Sequence, residues 1–532
     1  MTAVAATLLS CRLARLGAVP TVELEYLAPA EFDLSAVRDY LPAPLHVDGE
    51  RFEGGERAFY DTFDRRLRAK QLRLIHEDGF LRLFGAGSRE LGAVASPSAP
   101  ATIRPDELEA GALRTSVAAA CEVRTLLRTA RVRSDRRLVP VLDDEGKTVA
   151  RLVAEDAVVV GGNDADNSLR PRLRLVAVRG YERAAERVRK VLEDELRLAP
   201  AAEPLEDEAI TRSGGSPRGV SPNVELELSA DMPAERAAAA LSLRLLDVIE
   251  SNLPGTIADI DIEFLHDLRV AVRRTRALQR ELKKVFPPDE LAHFRAEFKW
   301  VQQASGTTRD LDVYLLELDQ FTEEVPEPQR SHLKLLRTLL REQRGSERAQ
   351  MEQALRSERA GKLFVDWREF LERLPSEPAD ERPSAATPIG EMAAWRIERV
   401  YRRMVRMGAD IDDDSPAEAL HDLRKKGKEL RYLLEFFSPL FPSKVTKPMG
   451  KTLKSLQDAL GRFQDREVQS HMIRGLGSEI ATRPGGADAL MAIGVLLERL
   501  EEHQHDARAE FSERFAAFSA AEQRELVKKT FG

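Results

Sequence analysis

Short runs of alternating apolar and polar residues dominate the first 200 positions of the chain. Residues Thr21 to Leu27 alternate one by one, which is typical of a half-buried strand. Similar runs, two of them folded around Gly-containing turns, predict two hairpins and a further strand at residues 71–84, 138–153 and 170–178. A helix is predicted over 182–196. The pattern therefore predicts a mainly antiparallel β domain over residues 19–198, preceded by a disordered start at 1–18.

The pattern changes after a stretch rich in Pro and Gly. Residues 199–228 have the composition of a linker. Beyond them the apolar positions recur with the period of a helix, and Pro or Gly clusters interrupt this pattern near residues 287, 326, 375–388, 439–442 and 484–486. The fold class predicted is α+β and multidomain, with an all-α domain over 229–530.

An internal repeat divides the helical part. Leu265–Arg269 recurs as Leu420–Arg424, an offset of 155 residues. The same offset, without gaps, also pairs Arg276 with Arg431, Lys299 with Lys454, Gln302 with Gln457, Gly306 with Gly461, and Asp310 with Asp465. The repeat predicts two pseudo-symmetric helical bundles at 229–372 and 388–530, joined by a linker at 373–387.

Each repeat carries a line of basic residues on one helix. At 100° per residue, the first line falls on one face and consists of His266, Arg269, Arg273, Arg276 and Arg280. The second line has the same spacing and consists of His421, Arg424, Lys428 and Arg431. Lys425 adjoins the second line, and Lys444, Lys447, Lys451 and Lys454 form a further basic run. We call these two lines the basic stripes.

Like charges one turn apart destabilise a helix, so an anion is expected against the stripes. Guanidinium and ammonium groups in a row suit a linear array of phosphates. Aromatic residues are scarce on the stripes, which disfavours nucleic acid and favours a base-free polyanion. The alternative is a solvated face, or one neutralised by neighbouring carboxylates. Two stripes at one offset weaken that alternative.

The histidines do not have the spacing of a metal site. Each of His266 and His421 is followed by Asp, and neither belongs to a His-Glu-x-x-His pattern. We expect them to donate hydrogen bonds to phosphate, and we predict no metal ligands or catalytic residues in the helical part.

The composition excludes several classes of protein. The chain has 532 residues with 81 Lys and Arg against 89 Asp and Glu, a net charge of −8, which excludes an overall basic coat. Its 2 Cys cannot form a disulfide framework, which favours a reducing compartment. No run is long enough for a membrane helix. The apolar start ending at Cys11 lacks the basic residues of a signal peptide, so a cytoplasmic protein that does not associate with a membrane is predicted.

The repeated His-Asp-Leu-Arg motif and its basic stripe resemble the CHAD family over about residues 230–525. The resemblance implies that a central basic groove between two helical bundles binds inorganic polyphosphate, and that the protein is associated with polyphosphate granules. By this resemblance the groove residues would be His266, Arg269, Arg273, Arg276, Arg280, Lys299, His421, Arg424, Lys425, Lys428, Arg431, Lys451 and Lys454. Copy two departs from copy one at Glu429, opposite Arg274, so no role is predicted for Arg274.

The first part resembles the CYTH, or triphosphate-tunnel, family over residues 19–198. Glu23 and Glu25, the segment Tyr60–Asp64 and Leu72–Arg73 carry this resemblance. It implies an antiparallel β tunnel in which basic groups hold a triphosphate and carboxylates hold a divalent metal. Leu27 replaces the expected Lys, and arginines replace expected acids at Arg151 and over Arg172–Val178. We therefore predict a degenerate tunnel with absent or vestigial triphosphatase activity. Its vestigial residues are Glu23, Glu25, Arg73, Arg82, Arg131 and Arg133, and the four arginines are expected to bind an anion. The alternative is a domain with only a structural role.

Three functions remain open at this point. The first is polyphosphate binding without catalysis and without a cofactor. The second is a hydrolase of triphosphate or polyphosphate that uses Glu23 and Glu25 with Mg²⁺ or Mn²⁺. The third is a scaffold that meets acidic protein or nucleic-acid surfaces. Chain-length preference, oligomeric state and protein partners cannot be read from the sequence.

Overall fold

The computed structural model describes residues 23–29, 32–161, 167–223, 226–378, 380–412 and 414–532. The predicted disordered start, 1–18, lies outside these residues, as do Thr21 and Val22 of the first predicted strand. The chain separates into two compact units, residues 1–220 and 221–532. The first is built on an antiparallel sheet and the second is helical, which confirms the predicted fold class.

The first unit contains one large sheet in which every described strand pair is antiparallel. Its strands are β1 (Glu23–Leu27), β2 (His46–Val47), β3 (Arg51–Asp61), β4 (Arg73–Glu77), β5 (Phe80–Phe84), β6 (Glu90–Ala95), β7 (Thr102–Ile103), β8 (Leu126–Leu142), β9 (Thr148–Val159), β10 (Arg172–Ala177) and β11 (Ala199–Pro200). The order is β11-β1-β10-β9-β8-β3-β4-β5-β6, with β2 and β7 also paired to β8.

Both predicted hairpins are confirmed. β4 pairs with β5 through a turn at Asp78 and Gly79, whose φ values of 52° and 77° are typical of a tight hairpin turn. β8 pairs with β9 through a turn in which Gly146 has a φ of 74°. The predicted strand near 170–178 is β10.

Short helices accompany the sheet: α1 (Ser35–Tyr40), α2 (Arg66–Ala69), α3 (Ala112–Cys121), α4 (Glu182–Lys190) and α5 (Leu205–Arg212). A π-helical turn, Val191–Glu195, extends α4 across the predicted helix. The stretch predicted as a linker, 199–228, contains β11 and α5, and Leu205, Ala209 and Ile210 of α5 are buried against the sheet. Part of that stretch therefore belongs to the first unit.

The second unit consists of α6 (Ala234–Ile257), α7 (Ile262–Glu281), α8 (Pro288–Ala304), α9 (Gly306–Glu324), α10 (Glu327–Arg330), α11 (Leu333–Leu355), α12 (Glu358–Arg373), α13 (Ile389–Ala409), α14 (Ala417–Phe437), α15 (Ser443–Gly475), α16 (Gly477–Thr482), α17 (Gly486–Phe518) and α18 (Ala521–Phe531). Pro residues precede or open several of these helices, where the missing N–H group costs no hydrogen bond. The predicted break points therefore coincide with helix ends.

The repeat is visible in the helix boundaries. α6 and α13, α7 and α14, and α8 and α15 each begin 155 residues apart. The copies differ at one place. Copy one ends α8 before Ser305 and starts α9, whereas copy two continues through Leu460 as the single helix α15.

Backbone hydrogen bonds relate the two copies reciprocally. The amide of Ala234 donates to Thr387 O at 2.9 Å, and the equivalent amide of Ile389 donates to Met232 O, also at 2.9 Å. One bond becomes the other when the repeats are exchanged, which is the signature of a pseudo-twofold axis. A shared apolar core runs through both copies, including Leu268, Leu278, Leu423 and Leu433 of the stripe helices.

Candidate functional site

The basic stripes lie on α7 and α14, which pack against each other. α7 begins at a capped end, because the side chain of Asp261 accepts hydrogen bonds from the amides of Glu263 and Phe264 at 3.0 and 3.3 Å. Apolar residues on the opposite face of each helix, such as Leu268 and Leu423, are fully buried. The amphipathic pattern thereby fixes which side of each helix presents its cations.

Two ion pairs connect the stripe helices. Arg274 Nε lies 2.9 Å from Glu435 Oε2. The equivalent pair, Arg280 and Glu429, is 4.0 Å apart. At the repeat offset Arg274 corresponds to Glu429, and Arg280 corresponds to Glu435. Each pair therefore occupies the equivalent position of the other, with the basic and acidic residues swapped. The departure at Glu429 therefore belongs to the contact between the repeats.

In copy one, neutral groups hold the arginines of the stripe. The break at Ser305 frees the carbonyl of Gln302, and Arg269 Nη1 donates to that oxygen and to Ser305 Oγ, both at 2.9 Å. Arg276 donates to Gln302 Oε1. No carboxylate of the described chain pairs with Arg269 or Arg276. Burial and the neighbouring Arg273 lower the pKa of Arg269 to about 10.

In copy two, the continuous helix α15 offers no such carbonyl, so the equivalent arginine uses a side chain. Arg424 Nη2 donates to Asp465 Oδ1 at 2.9 Å. Arg431 lies 3.3 Å from Glu435. A local backbone difference thus changes the partners of Arg269 and its equivalent Arg424 from neutral oxygens to a carboxylate.

A glycine lies beside the first arginine of each stripe. A Cβ placed on Gly306 would be 3.7 Å from Arg269 Nη1, and one placed on Gly461 would be 3.8 Å from Arg424 Nη2. These glycines match at the repeat offset. A side chain longer than Ala at either position would enter the space of the guanidinium group.

Arg273 and Lys428, one from each stripe, lie close enough for their positive charges to repel. These residues are equivalent in the repeat, and neither makes a hydrogen bond or ion pair within the described ranges. Burial, followed by the positive charges of Arg424 and Arg273, lowers the pKa of Lys428 to about 8. Two cations that repel each other, with no carboxylate of the described chain within ion-pair distance, thus face a common region.

Equivalent aspartates also approach each other. Burial raises the pKa of Asp310, and the negative charge of Asp465 adds to that rise. The sequence repeat showed this pair and the pair Gln302 and Gln457, yet neither pair entered the predicted site. The signal in the sequence was that both pairs consist of identical polar residues at the 155-residue offset.

A cleft of about 410 Å³ opens along copy two of the site. Its lining consists of Arg424, Lys428, Arg431, Gln457, Asp458, Gly461, Arg462 and Asp465. Three predicted residues are therefore brought together in one concave surface. Asp458 and Arg462, which the sequence did not single out, complete it.

The remaining predicted residues of the helical unit have varied surroundings. Arg280 pairs with Glu281, and Lys425 pairs with Asp422, at 2.7 and 2.9 Å. His421 Nδ1 is within hydrogen-bond distance of Gln464, and His266 is partly buried. Three lysines are exposed and have no ion pair in the described part of the chain: Lys299, Lys451 and Lys454.

The residues predicted for the tunnel do not form one cluster in the first unit. Arg73, Arg82 and Arg131 form separate ion pairs with Glu206 at 3.5 Å, Glu90 at 3.1 Å and Glu56 at 2.7 Å. Arg133 is exposed and lies on the face of β8 opposite buried Val132. Glu25 lies 3.3 Å from Arg172, and the side chain of Glu23 lies outside the described residues.

A different ionic network occupies the interior of the sheet. Buried Glu155 on β9 pairs with Arg57 of β3 and lies 3.6 Å from Arg174 of β10. Fully buried Arg172 lies 2.6 Å from Glu208 of α5. Burial lowers the pKa of Arg57. Arg57 and Glu155 were not among the predicted residues, and the only signal in the sequence was a charged residue within each strand segment.

The described residues contain no cluster of three or more His, Cys, Asp and Glu side chains with the geometry to hold a metal ion. Among the helices that the structure describes, none is both long and apolar enough to cross a membrane.

Comparison with known families decides what the helical unit is. Residues 240–474, which include both stripes, match the family model described as CHAD domain. The second unit contains a CHAD domain. The match begins in α6 and ends in α15, so the CHAD domain includes the equivalent residues Arg273 and Lys428.

The chain is similar to uncharacterized proteins from two Mycobacterium tuberculosis strains, CDC 1551 / Oshkosh and ATCC 25618 / H37Rv, with 28% identity over 236 residues in each case. These alignments cover 42% of the chain and 42% of each relative. A crystal structure of the CHAD domain from the plant Ricinus communis has 26% identity and a TM-score of 0.47, covering 56% of this chain and 94% of that one. PptA from Streptomyces chartreusis has 19% identity and a TM-score of 0.40, covering 53% and 99%.

Proposed function

We propose that the CHAD domain binds inorganic polyphosphate between its two basic stripes. The observation that carries this proposal is the proximity of Arg273 and Lys428, two mutually repelling cations on facing helices that have no carboxylate of the described chain within ion-pair distance. Bringing like charges together in a partly buried place is unfavourable unless an anion joins them. A row of phosphates supplies that anion in a linear form.

The basic side chains of the site would contribute to phosphate binding in different ways. Arg269 and Arg276 are already oriented by neutral oxygens, so their charge remains available to a phosphate oxygen. Arg424 and Arg431 would exchange carboxylates for phosphates. The exposed lysines at 299, 451 and 454 would extend the path as point charges.

Pseudo-twofold symmetry further supports inorganic polyphosphate as the ligand. A polyphosphate chain reads the same in both directions, so each repeat can contact one half of it in the same way. A single nucleic-acid strand has a direction and cannot present identical groups to both repeats. A scaffold for acidic proteins or nucleic acids is therefore less well supported, although it uses the same cations.

Calorimetry of the full-length protein with long-chain polyphosphate at two salt concentrations tests the proposal. Wild-type affinity should fall steeply with salt, because each neutralised phosphate releases counter-ions. Arg273→Glu with Lys428→Glu should abolish binding while the helical circular dichroism is retained. The matched control is Arg356→Glu with Lys362→Glu, which makes the same change in charge. Arg356 is an exposed residue between α11 and α12, and Lys362 is an exposed residue of α12. Equal affinity of both double variants would contradict the proposal.

For the first unit we propose a degenerate triphosphate-tunnel fold without catalytic activity. Glu25 of β1 and Glu155 of β9, the two strands that flank β10, are carboxylates that could attract a metal, and both are engaged by arginines. A divalent metal would have to displace those arginines. The alternative remains a Mg²⁺- or Mn²⁺-dependent hydrolase of triphosphate or polyphosphate. A cytoplasmic location at polyphosphate granules is part of the same proposal.

A further inference from the structure

A second basic cavity lies in the helical unit, separate from the stripes. It has a volume of about 590 Å³ and opens between the end of α7, the segment before α13 and the first turns of α13. Its basic and aromatic lining consists of Lys283, Lys284, Trp395, Arg396 and Arg399. No stripe residue lines it. The volume is that of a typical small-molecule site.

The cavity presents a flat aromatic ring to solvent. Trp395 is 51% exposed, which is unusual for a tryptophan. The guanidinium carbons of Arg399 and Arg396 lie 4.9 and 5.4 Å from its ring centroid. The flexible, apolar side chain of Met392 also lines the cavity. An exposed indole beside cations is suited to stacking against another planar ring.

Charged groups around the ring are available to an anion. Arg396 is held in place by donating to the carbonyl of Glu281 through Nε and Nη2, at 3.0 and 2.6 Å. Lys283, Lys284 and Arg399 are exposed and have no ion pair among the residues that the structure covers. Their charges therefore point to a ligand with several negative groups.

Neutral and acidic groups complete the lining. The hydroxyls of Ser384 and Thr387 have no hydrogen-bond partner within the described chain, so they can accept or donate to a ligand. Glu391 is exposed at the rim, and Glu281 is buried beneath the cavity. Four cations against two carboxylates leave the cavity positive.

We propose that this cavity binds a nucleoside polyphosphate, with the base stacked on Trp395 and the phosphates held by Lys283, Lys284 and Arg399. The exposed indole suits a ligand with a planar ring, and the cations suit a ligand with several negative charges. A nucleoside polyphosphate has both features. A bare phosphate chain has no planar ring to stack against the exposed indole. This site goes beyond polyphosphate binding at the stripes and does not depend on it.

ATP and inorganic tripolyphosphate are the probes that separate base from phosphate recognition. Both are titrated into the full-length Arg273→Glu, Lys428→Glu protein, so that binding at the stripes does not contribute. ATP should bind about 5-fold or more tightly than tripolyphosphate, the lower end of the stacking contribution of one base. ATP should also quench tryptophan fluorescence, since Trp395 is the exposed member of the 3 tryptophans.

Variants of the cavity complete the test. Trp395→Ala should reduce ATP affinity to that of tripolyphosphate and leave tripolyphosphate affinity unchanged. Arg399→Gln should weaken both ligands, whereas Arg403→Gln, an exposed arginine of α13 outside the lining, should weaken neither. Equal ATP affinity in wild type and Trp395→Ala would overturn the proposal. Absence of ATP binding at millimolar concentration would also overturn it, and polyphosphate binding at the stripes would be unaffected by either result.

Discussion

Pro233 and Pro388, which occupy the same position in the two repeats, pair with each other as an antiparallel bridge. Because each residue directly precedes the first helix of its repeat, the bridge ties the starts of α6 and α13 together. The pseudo-twofold axis therefore passes close to this pair. The same relation brings Arg273 towards Lys428, so the symmetry of the backbone produces the concentration of charge between the stripes.

Polyphosphate affinity should decrease as the pH rises through about 8. Free Lys428 has a pKa of about 8, and a bound polyanion would favour its charged form, so binding takes up a proton above that pH. The other charged groups that act on it are Arg424 and Arg431 of α14, Arg273 of α7 and Asp465 of α15. Calorimetry between pH 7 and pH 9 measures the effect.

The control for this pH dependence is Lys428→Arg. This variant keeps its charge throughout the range, so its affinity should change less with pH than that of the wild type. Identical pH profiles for the two proteins would show that Lys428 does not titrate in the site.

The space beside Arg424 should tolerate a methyl group and nothing larger. Gly461→Ala places a Cβ 3.8 Å from Arg424 Nη2, so binding should be retained, and the helix should gain about 0.5–1 kcal/mol of stability. Gly461→Leu should displace the guanidinium and weaken polyphosphate binding several-fold. Thermal unfolding and calorimetry measure both effects, and unchanged binding by the Leu variant would place the ligand elsewhere.

The ion pair between Arg274 and Glu435 should contribute to the contact between the repeats. Its arginine is largely buried, and a charge-assisted hydrogen bond of this kind is worth about 1–2 kcal/mol. Denaturant unfolding of Arg274→Ala, Glu435→Ala and the double variant gives the coupling energy. A coupling energy near zero would mean that the register of α7 and α14 depends on apolar packing alone.

The first unit should not release phosphate from tripolyphosphate with Mg²⁺ or Mn²⁺. Glu25 and Glu155 are already paired with arginines, which leaves them poorly suited to bind a metal. A colorimetric phosphate assay on the full-length protein is the measurement. Metal-dependent turnover that disappears in Glu25→Ala would instead support the hydrolase alternative.

The sequence by itself determined the elements and the repeat. Alternation over 71–84 and 138–153 specified hairpins because strand side chains alternate between two faces. The 155-residue offset specified equivalent helices and two stripes, because residues three and four apart share a helix face. These are local properties, and the nearest neighbours along the chain are enough to define them.

Only the tertiary structure decided which charges from distant parts of the chain lie close together. Arg274 pairs with Glu435, which is 161 positions away, whereas Arg273 and Lys428 lie close enough to repel each other. The interior pair of Arg57 and Glu155 is separated by 98 positions, and no periodicity could reveal it. Electrostatic partners are set by distance in space, and residues far apart along the chain become neighbours only when the helices and strands pack.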